Sequence, residues 1–173
     1  MFKEVFLDCD YNVFLKADYT QHTGSCIKHQ VHELTDIHEK YGGFPDTYVL
    51  ANTIIHQLWW TPEQISFDEI GKQLGVEVIT VSSIKQPPGC VIPWHRDTFF
   101  EINRRYPDDK RLKVRANIFL EDRKMGHIIE HDAGVCSSWK QGQGFMWDSS
   151  IEHLGANTGM LPKYTLQVSG FLI

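Results

Sequence analysis

The chain has no apolar run of transmembrane length, and Met1-Phe2-Lys3-Glu4-Val5-Phe6-Leu7-Asp8 lacks the long apolar core of a secretory signal. It has no Cys-x-x-Cys. Cys9, Cys26, Cys90 and Cys136 are scattered, which fits isolated thiols in a reducing compartment better than a disulfide frame. There is no excess of basic charge: 17 Lys and Arg stand against 22 Asp and Glu, a net charge of −5. That balance, with no basic stripe interleaved with aromatics, argues against nucleic acid as a partner. No repeat, low-complexity segment or linker interrupts the 173 residues, so one domain spanning 1–173 is expected, with a cytoplasmic location and no membrane partner.

What is present supports a packed core: 42% hydrophobic residues and 12% aromatics belong to a globular chain rather than a disordered one. Residues 1–75 read as helical support. Ile27, Val31, Leu34 and Ile37 form a helical stripe from Ser25 to Tyr41, closed by Gly42-Gly43, and Ala51 to Trp60 is a second expected helix. Ser66-Phe-Asp-Glu69 is a capping box that opens a third, ending at Leu74-Gly75. From 76 onward the residues become β-branched and alternate. Strands are expected over 76–85, 112–121, 134–139, 144–147 and 164–172, separated by Gly, Pro, Asp and Asn turns. The polar and aromatic stretch between Asp97 and Arg111 is expected as a loop. The fold class implied is α+β, mainly β: a double-stranded β-helix, or jelly roll, over 76–173 with N-terminal buttressing helices.

The chemistry concentrates in Pro87-Pro-Gly-Cys-Val-Ile-Pro-Trp-His95-Arg96-Asp97. In an extended segment His95 and Asp97 point to one side, because strand side chains alternate. Two histidines and one carboxylate hold a ferrous ion by one face and leave the other open. His153, 56 residues beyond Asp97, is the candidate third ligand, returned by a distant strand. Ten positions further, Lys163 leads a segment that places Lys163, Thr165, Gln167 and Ser169 on one face. A cation and a hydroxyl so placed can bind a carboxylate.

This ordered set resembles the Fe(II)/2-oxoglutarate-dependent dioxygenases, over roughly the second half of the chain. Arg115-Ala-Asn117-Ile-Phe119, Trp139-x-x-Gly142-x-Gly144, Trp147-Asp148 and His153-x-x-x-Asn157-x-Gly159 look like the strands and turns of a small prolyl-hydroxylase-like or aspartyl/asparaginyl-hydroxylase-like member. The resemblance implies iron held by His95, Asp97 and His153. It implies 2-oxoglutarate as co-substrate, with its distal carboxylate on Lys163 and Thr165, and a C–H bond of a protein side chain or small metabolite as the target. Arg is the usual residue at the position of Lys163, and a lysine cannot form the guanidinium fork. Arg115 is therefore a substitute anchor to watch, and Asn117, on its strand face, a further hydrogen-bond partner for the co-substrate.

Other readings compete for the same residues. His127-Ile-Ile-Glu130-His131 matches an inverted zinc-peptidase motif, which requires a helix; Gly126 before it and Asp132-Ala-Gly134 after it predict a short strand and turn instead. His127 and Glu130 are then expected at a strand edge, with His127 within reach of the site entrance. His22, His29, His32 and His38 are expected on a solvated helix face, and His56 as a satisfied, partly buried histidine. Trp59, Trp60, Trp139 and Trp147 are expected in the core or at its rim. Trp94 and Arg96 should point away from the ligands. A non-catalytic cupin-like binding module, or a barrel isomerase with a histidine base, would keep the barrel without needing Lys163 and Thr165 beside a metal.

Overall fold

Alternation along Lys163-Tyr-Thr-Leu-Gln-Val-Ser sets the two layers of the molecule. Leu166 and Val168 face outward into a buried apolar layer, while Thr165 and Ser169 face inward. The same rule sorts Val114, Ala116 and Ile118 from Arg115, Asn117 and Phe119. The structure is a computed structural model that describes residues 1–19 and 55–173. Its elements in chain order are β1 (Phe2–Phe6), α1 (Tyr11–Leu15), β2 (His56–Trp60), α2 (Phe67–Leu74), β3 (Val76–Gln86), β4 (Val91–His95), α3 (Phe100–Arg105), β5 (Lys113–Phe119), β6 (His127–His131), β7 (Gly134–Cys136), β8 (Gln143–Trp147), β9 (His153–Asn157) and β10 (Lys163–Leu172).

A six-stranded sheet runs β1-β8-β5-β10-β3-β2, and a four-stranded sheet runs β4-β9-β6-β7. Every pairing is antiparallel. Two such sheets joined by alternating crossings make a double-stranded β-helix. The outer face of the large sheet is covered by α1 and α2, which contribute Phe14, Ile70 and Leu74 to the apolar layer. Burying each such side chain stabilises the fold by roughly 1.5–3 kcal/mol. Between the sheets, Phe119, Ile129, Trp139, Phe145 and Trp147 fill one end, and Phe99, Ile102 and Phe171 pack together in a separate cluster.

Local chemistry fixes several boundaries. Ser66 caps α2 by accepting the Glu69 amide, Asp68 and Glu69 lie in the first turn, and Gly75 ends the helix at φ 70°. In β10 the register shifts between Ser169 and Gly170, where a side chain at 170 would place its Cβ 1.9 Å from the Glu77 carbonyl oxygen. Only glycine permits that approach.

The structure corrects several expectations. His56–Trp60, the end of the expected Ala51–Trp60 helix, is a strand paired with β3. Its aromatic and branched side chains complete a sheet edge, and that burial outweighs a weak helical pattern. Within residues 1–75, expected as helical support, the described part also supplies β1, so both outer strands of the large sheet come from there. The stretch after Asp97 is not wholly loop, since it carries α3, with Phe99 and Ile102 buried. The strand expected over 134–139 stops at Cys136, and Trp139 turns inward to stack on Phe119 at 3.9 Å between centroids. The expected Ser25–Tyr41 helix, with His22, His29, His32 and His38, lies outside the described residues, as does Cys26; Cys9, Cys90 and Cys136 form no disulfide with one another.

Candidate metal centre

Strands β4 and β9 place His95 directly across from His153 in the small sheet. The β4–β9 register shifts between Ile92 and His95, a stretch that contains Pro93, which has no N–H to give to the ladder. That irregularity ends β4 at His95 and turns the chain so that Asp97 enters the space between the sheets. The two imidazole centroids are 4.3 Å apart, and His153 Nε2 is 3.9 Å from Asp97 Oδ2. One ligand atom from each of His95, Asp97 and His153 lies within 4.8 Å of the others. Among the described residues this is the one cluster of its kind.

Hydrogen bonds behind the two imidazoles fix their orientation. His95 Nδ1 lies 2.7 Å from the Pro93 carbonyl oxygen, and His153 Nδ1 lies 3.3 Å from that of Ile151. A carbonyl only accepts, so each Nδ1 donates to it. Burial, with the neighbouring His95, pushes His153 down to about 4, which keeps it neutral and able to ligate. Asp97 is buried, and burial alone would raise its carboxyl. Arg115, the two histidines and the Trp147 N–H outweigh that effect, and the net shift is downward. Arg115 Nη1 donates to Asp97 Oδ1, and Trp147 Nε1 donates to Oδ2 at 2.7 Å. Trp147 is fully buried, with its ring 4.2 Å from that of His153.

A cavity of about 180 Å³ opens beside these groups, lined in part by His95, His153, Arg115, Asn117, Lys163 and Thr165. Lys163 is 3% exposed, and its ammonium donates to the carbonyl oxygens of Ile128 at 3.0 Å and Ala156 at 3.2 Å. No carboxylate among the described residues pairs with it. Burial pushes Lys163 down from 10.5 to about 7. Asn117 stands opposite Gln167 on β10 and Phe145 on β8, on the inner face that Arg115 shares.

The remaining histidines separate cleanly. His127 pairs with Asn157 of β9 and lies before the part of β6 that β7 pairs with, whereas Glu130 lies between Leu154 of β9 and Val135 of β7 and not at the expected edge; His127 is buried, and its Nε2 donates to the Leu161 carbonyl oxygen at 3.0 Å. The strand puts His127 and His131 at opposite ends of β6, so the peptidase motif has no helix to bring them together. His56 is partly buried as expected, but its Nδ1 has no hydrogen-bond partner. Arg96 pairs with Glu152 at 3.1 Å on the surface.

Sequence reasoning missed the Asp97 carboxylate's two supports. Trp147 is expected in the core or at its rim, and the alternation Phe145-x-Trp147 puts both on one strand face. Arg115 is expected only as an anion anchor. Its pairing with Asp97, and its Nε donation to Ser169 Oγ at 2.9 Å, join three separate segments and left no local signal.

Neither a family model nor a curated protein matches the sequence. Solved structures match by fold. AviO1 from Streptomyces viridochromogenes Tue57 aligns with 98% of this chain and 89% of its own at 16% identity and a TM-score of 0.56. A prolyl-4-hydroxylase from Pseudomonas putida aligns over 99% and 92% at 16% identity and a TM-score of 0.55. The viral collagen prolyl hydroxylase of Paramecium Bursaria Chlorella virus-1, solved as a 2OG complex, aligns over 99% and 96% at 15% identity and a TM-score of 0.53. The chain shares the fold of these proteins.

Proposed function

We propose that this chain is an Fe(II)- and 2-oxoglutarate-dependent dioxygenase that hydroxylates a C–H bond of a protein side chain or small metabolite. The observation that carries this reading is the convergence of two imidazoles and one buried carboxylate beside a cavity that also holds a buried lysine without a carboxylate partner among the described residues. The donor set suits a ferrous ion. The lysine suits an anion, because a buried ammonium on two neutral carbonyls lacks the charge that would offset its lost hydration. Ferrous iron with 2-oxoglutarate, when bound, supplies oxygen activation coupled to decarboxylation of the keto acid to succinate and carbon dioxide.

The chain's own residues do the positioning. His95, Asp97 and His153 would hold the metal from one side. Lys163 and Thr165 would take the distal carboxylate, with Asn117 and Arg115 available to the co-substrate on the same inner face. Ile129 and Trp147 line the cavity too and keep one side of it dry. No side chain is required as a general base. The fold shared with two prolyl hydroxylases, one solved with 2OG, supports the same reading.

The test is an anaerobic titration of the Fe(II)-loaded chain with 2-oxoglutarate, followed in the visible spectrum. A keto acid chelating ferrous iron should give a weak charge-transfer band that is absent in His95→Ala and weakened in Lys163→Ala. Aerobic turnover should then release succinate. Iron binding with no band would leave a metal-binding module, and no iron binding would refute the metal centre itself.

A further inference from the structure

We propose that Arg115 is a positioning residue that makes metal binding depend on the anionic co-ligand, an inference that rests on the reading above. Three contacts hold its guanidinium on the inner face of β5. Nη1 donates to Asp97 Oδ1, Nε donates to Ser169 Oγ at 2.9 Å, and the group lies 5.6 Å from the centroid of the Phe99 ring. The Asp97 carboxylate is consequently held at both oxygens. Oδ1 is committed to Arg115, while Oδ2, which accepts from Trp147 Nε1, is the oxygen that lies 3.9 Å from His153 Nε2. Asp97 therefore offers one oxygen, Oδ2, to a metal.

Charge gives this arrangement a second consequence. The single negative charge among the three ligands is already matched by Arg115 one hydrogen bond away. A divalent cation entering there adds two positive charges to a buried site that also holds Lys163. Like charges at such separations repel strongly where water is scarce. A dicarboxylate in the cavity lined by both Arg115 and Lys163 restores the balance. A guanidinium has five N–H donors, and those beyond the two engaged with Asp97 and Ser169 are available to an acceptor in that cavity. Metal and dicarboxylate then bind with positive coupling, and each raises the affinity of the other by the same factor.

The experiment titrates Mn(II) into the full chain, following free Mn(II) by electron paramagnetic resonance, with and without saturating 2-oxoglutarate. In the wild type the dicarboxylate should tighten Mn(II) binding on the order of tenfold or more. In Arg115→Gln, Mn(II) alone should bind at least as tightly as in the wild type, and the tightening should shrink to the part that direct chelation by the keto acid supplies. Arg115→Lys keeps the charge and loses the fork, so it should retain most of the coupling; it also serves if the glutamine variant does not fold. Full coupling in Arg115→Gln, with weaker binding of Mn(II) alone, would show a merely structural arginine and overturn the inference, as would loss of coupling in Arg115→Lys. Failure of the underlying reading looks different: the wild type itself would not bind Mn(II), or would bind it without any response to 2-oxoglutarate.

Discussion

Lys163→Met isolates the cost of keeping an ammonium inside the barrel. Burial lowers the folded-state value of Lys163 from 10.5 to about 7. At about 1.4 kcal/mol per unit, that gap corresponds to on the order of 5 kcal/mol. Water admitted when the group charges will reduce it, so roughly 2–4 kcal/mol is the expected effect. The sign follows from proton binding. Between about 7 and 10.5 the unfolded chain holds the lysine proton and the folded chain releases it, so the folded state gains stability as pH rises through that window. Below about 7 both states are protonated and the penalty is complete. Methionine carries no such penalty, but it leaves the carbonyl oxygens of Ile128 and Ala156 without the Nζ donor, a pH-independent loss of about 1–3 kcal/mol. Urea unfolding of the metal-free chain, followed by tryptophan fluorescence at several pH values, measures both effects. The wild type should gain on the variant by roughly 2–4 kcal/mol between pH 6 and pH 10. Parallel stability curves would refute the reasoning, since they would mean that Lys163 is solvated or already paired with an anion.

Two further outcomes follow from the packing. Trp147→Phe keeps an aromatic ring against His153 but removes the N–H that holds Asp97 Oδ2; Mn(II) affinity measured by titration should fall about 10- to 100-fold, the usual loss when a partner behind a metal ligand is removed. Leu166→Ala, at a fully buried position of the layer between β10 and the helices, should cost about 2–5 kcal/mol in urea unfolding, while Mn(II) binding to the protein that remains folded stays unchanged.

The strands that carry the site were readable because their signal is local. Lys163-x-Thr165-x-Gln167-x-Ser169 and Arg115-x-Asn117 alternate with apolar residues, and in a strand the side-chain period assigns a face wherever one face is packed. His95-x-Asp97 was readable for the same reason, and Ser66 through Gly75 because a cap and a left-handed glycine mark both helix ends within one short segment. Where the signal needed a neighbour, it failed. His56–Trp60 has both helical and strand character, and only the open edge of β3 selects the strand. Phe2–Phe6 is too short to announce itself without β8 beside it.

The site divides along the same line. Residue types and spacing along the chain were enough to nominate His95, Asp97, His153 and Lys163, because metal ligation and anion binding demand particular functional groups. Which cation faces Asp97, and which faces the far end of the cavity, depended on register. Arg115 stands across from Ser169 and Trp147, whereas Lys163 stands across from Gln86, deep under β9. A one-residue slip in either pairing would turn these side chains to the opposite face of the sheet, so their partners are a property of the packed sheets and are not written in any single segment.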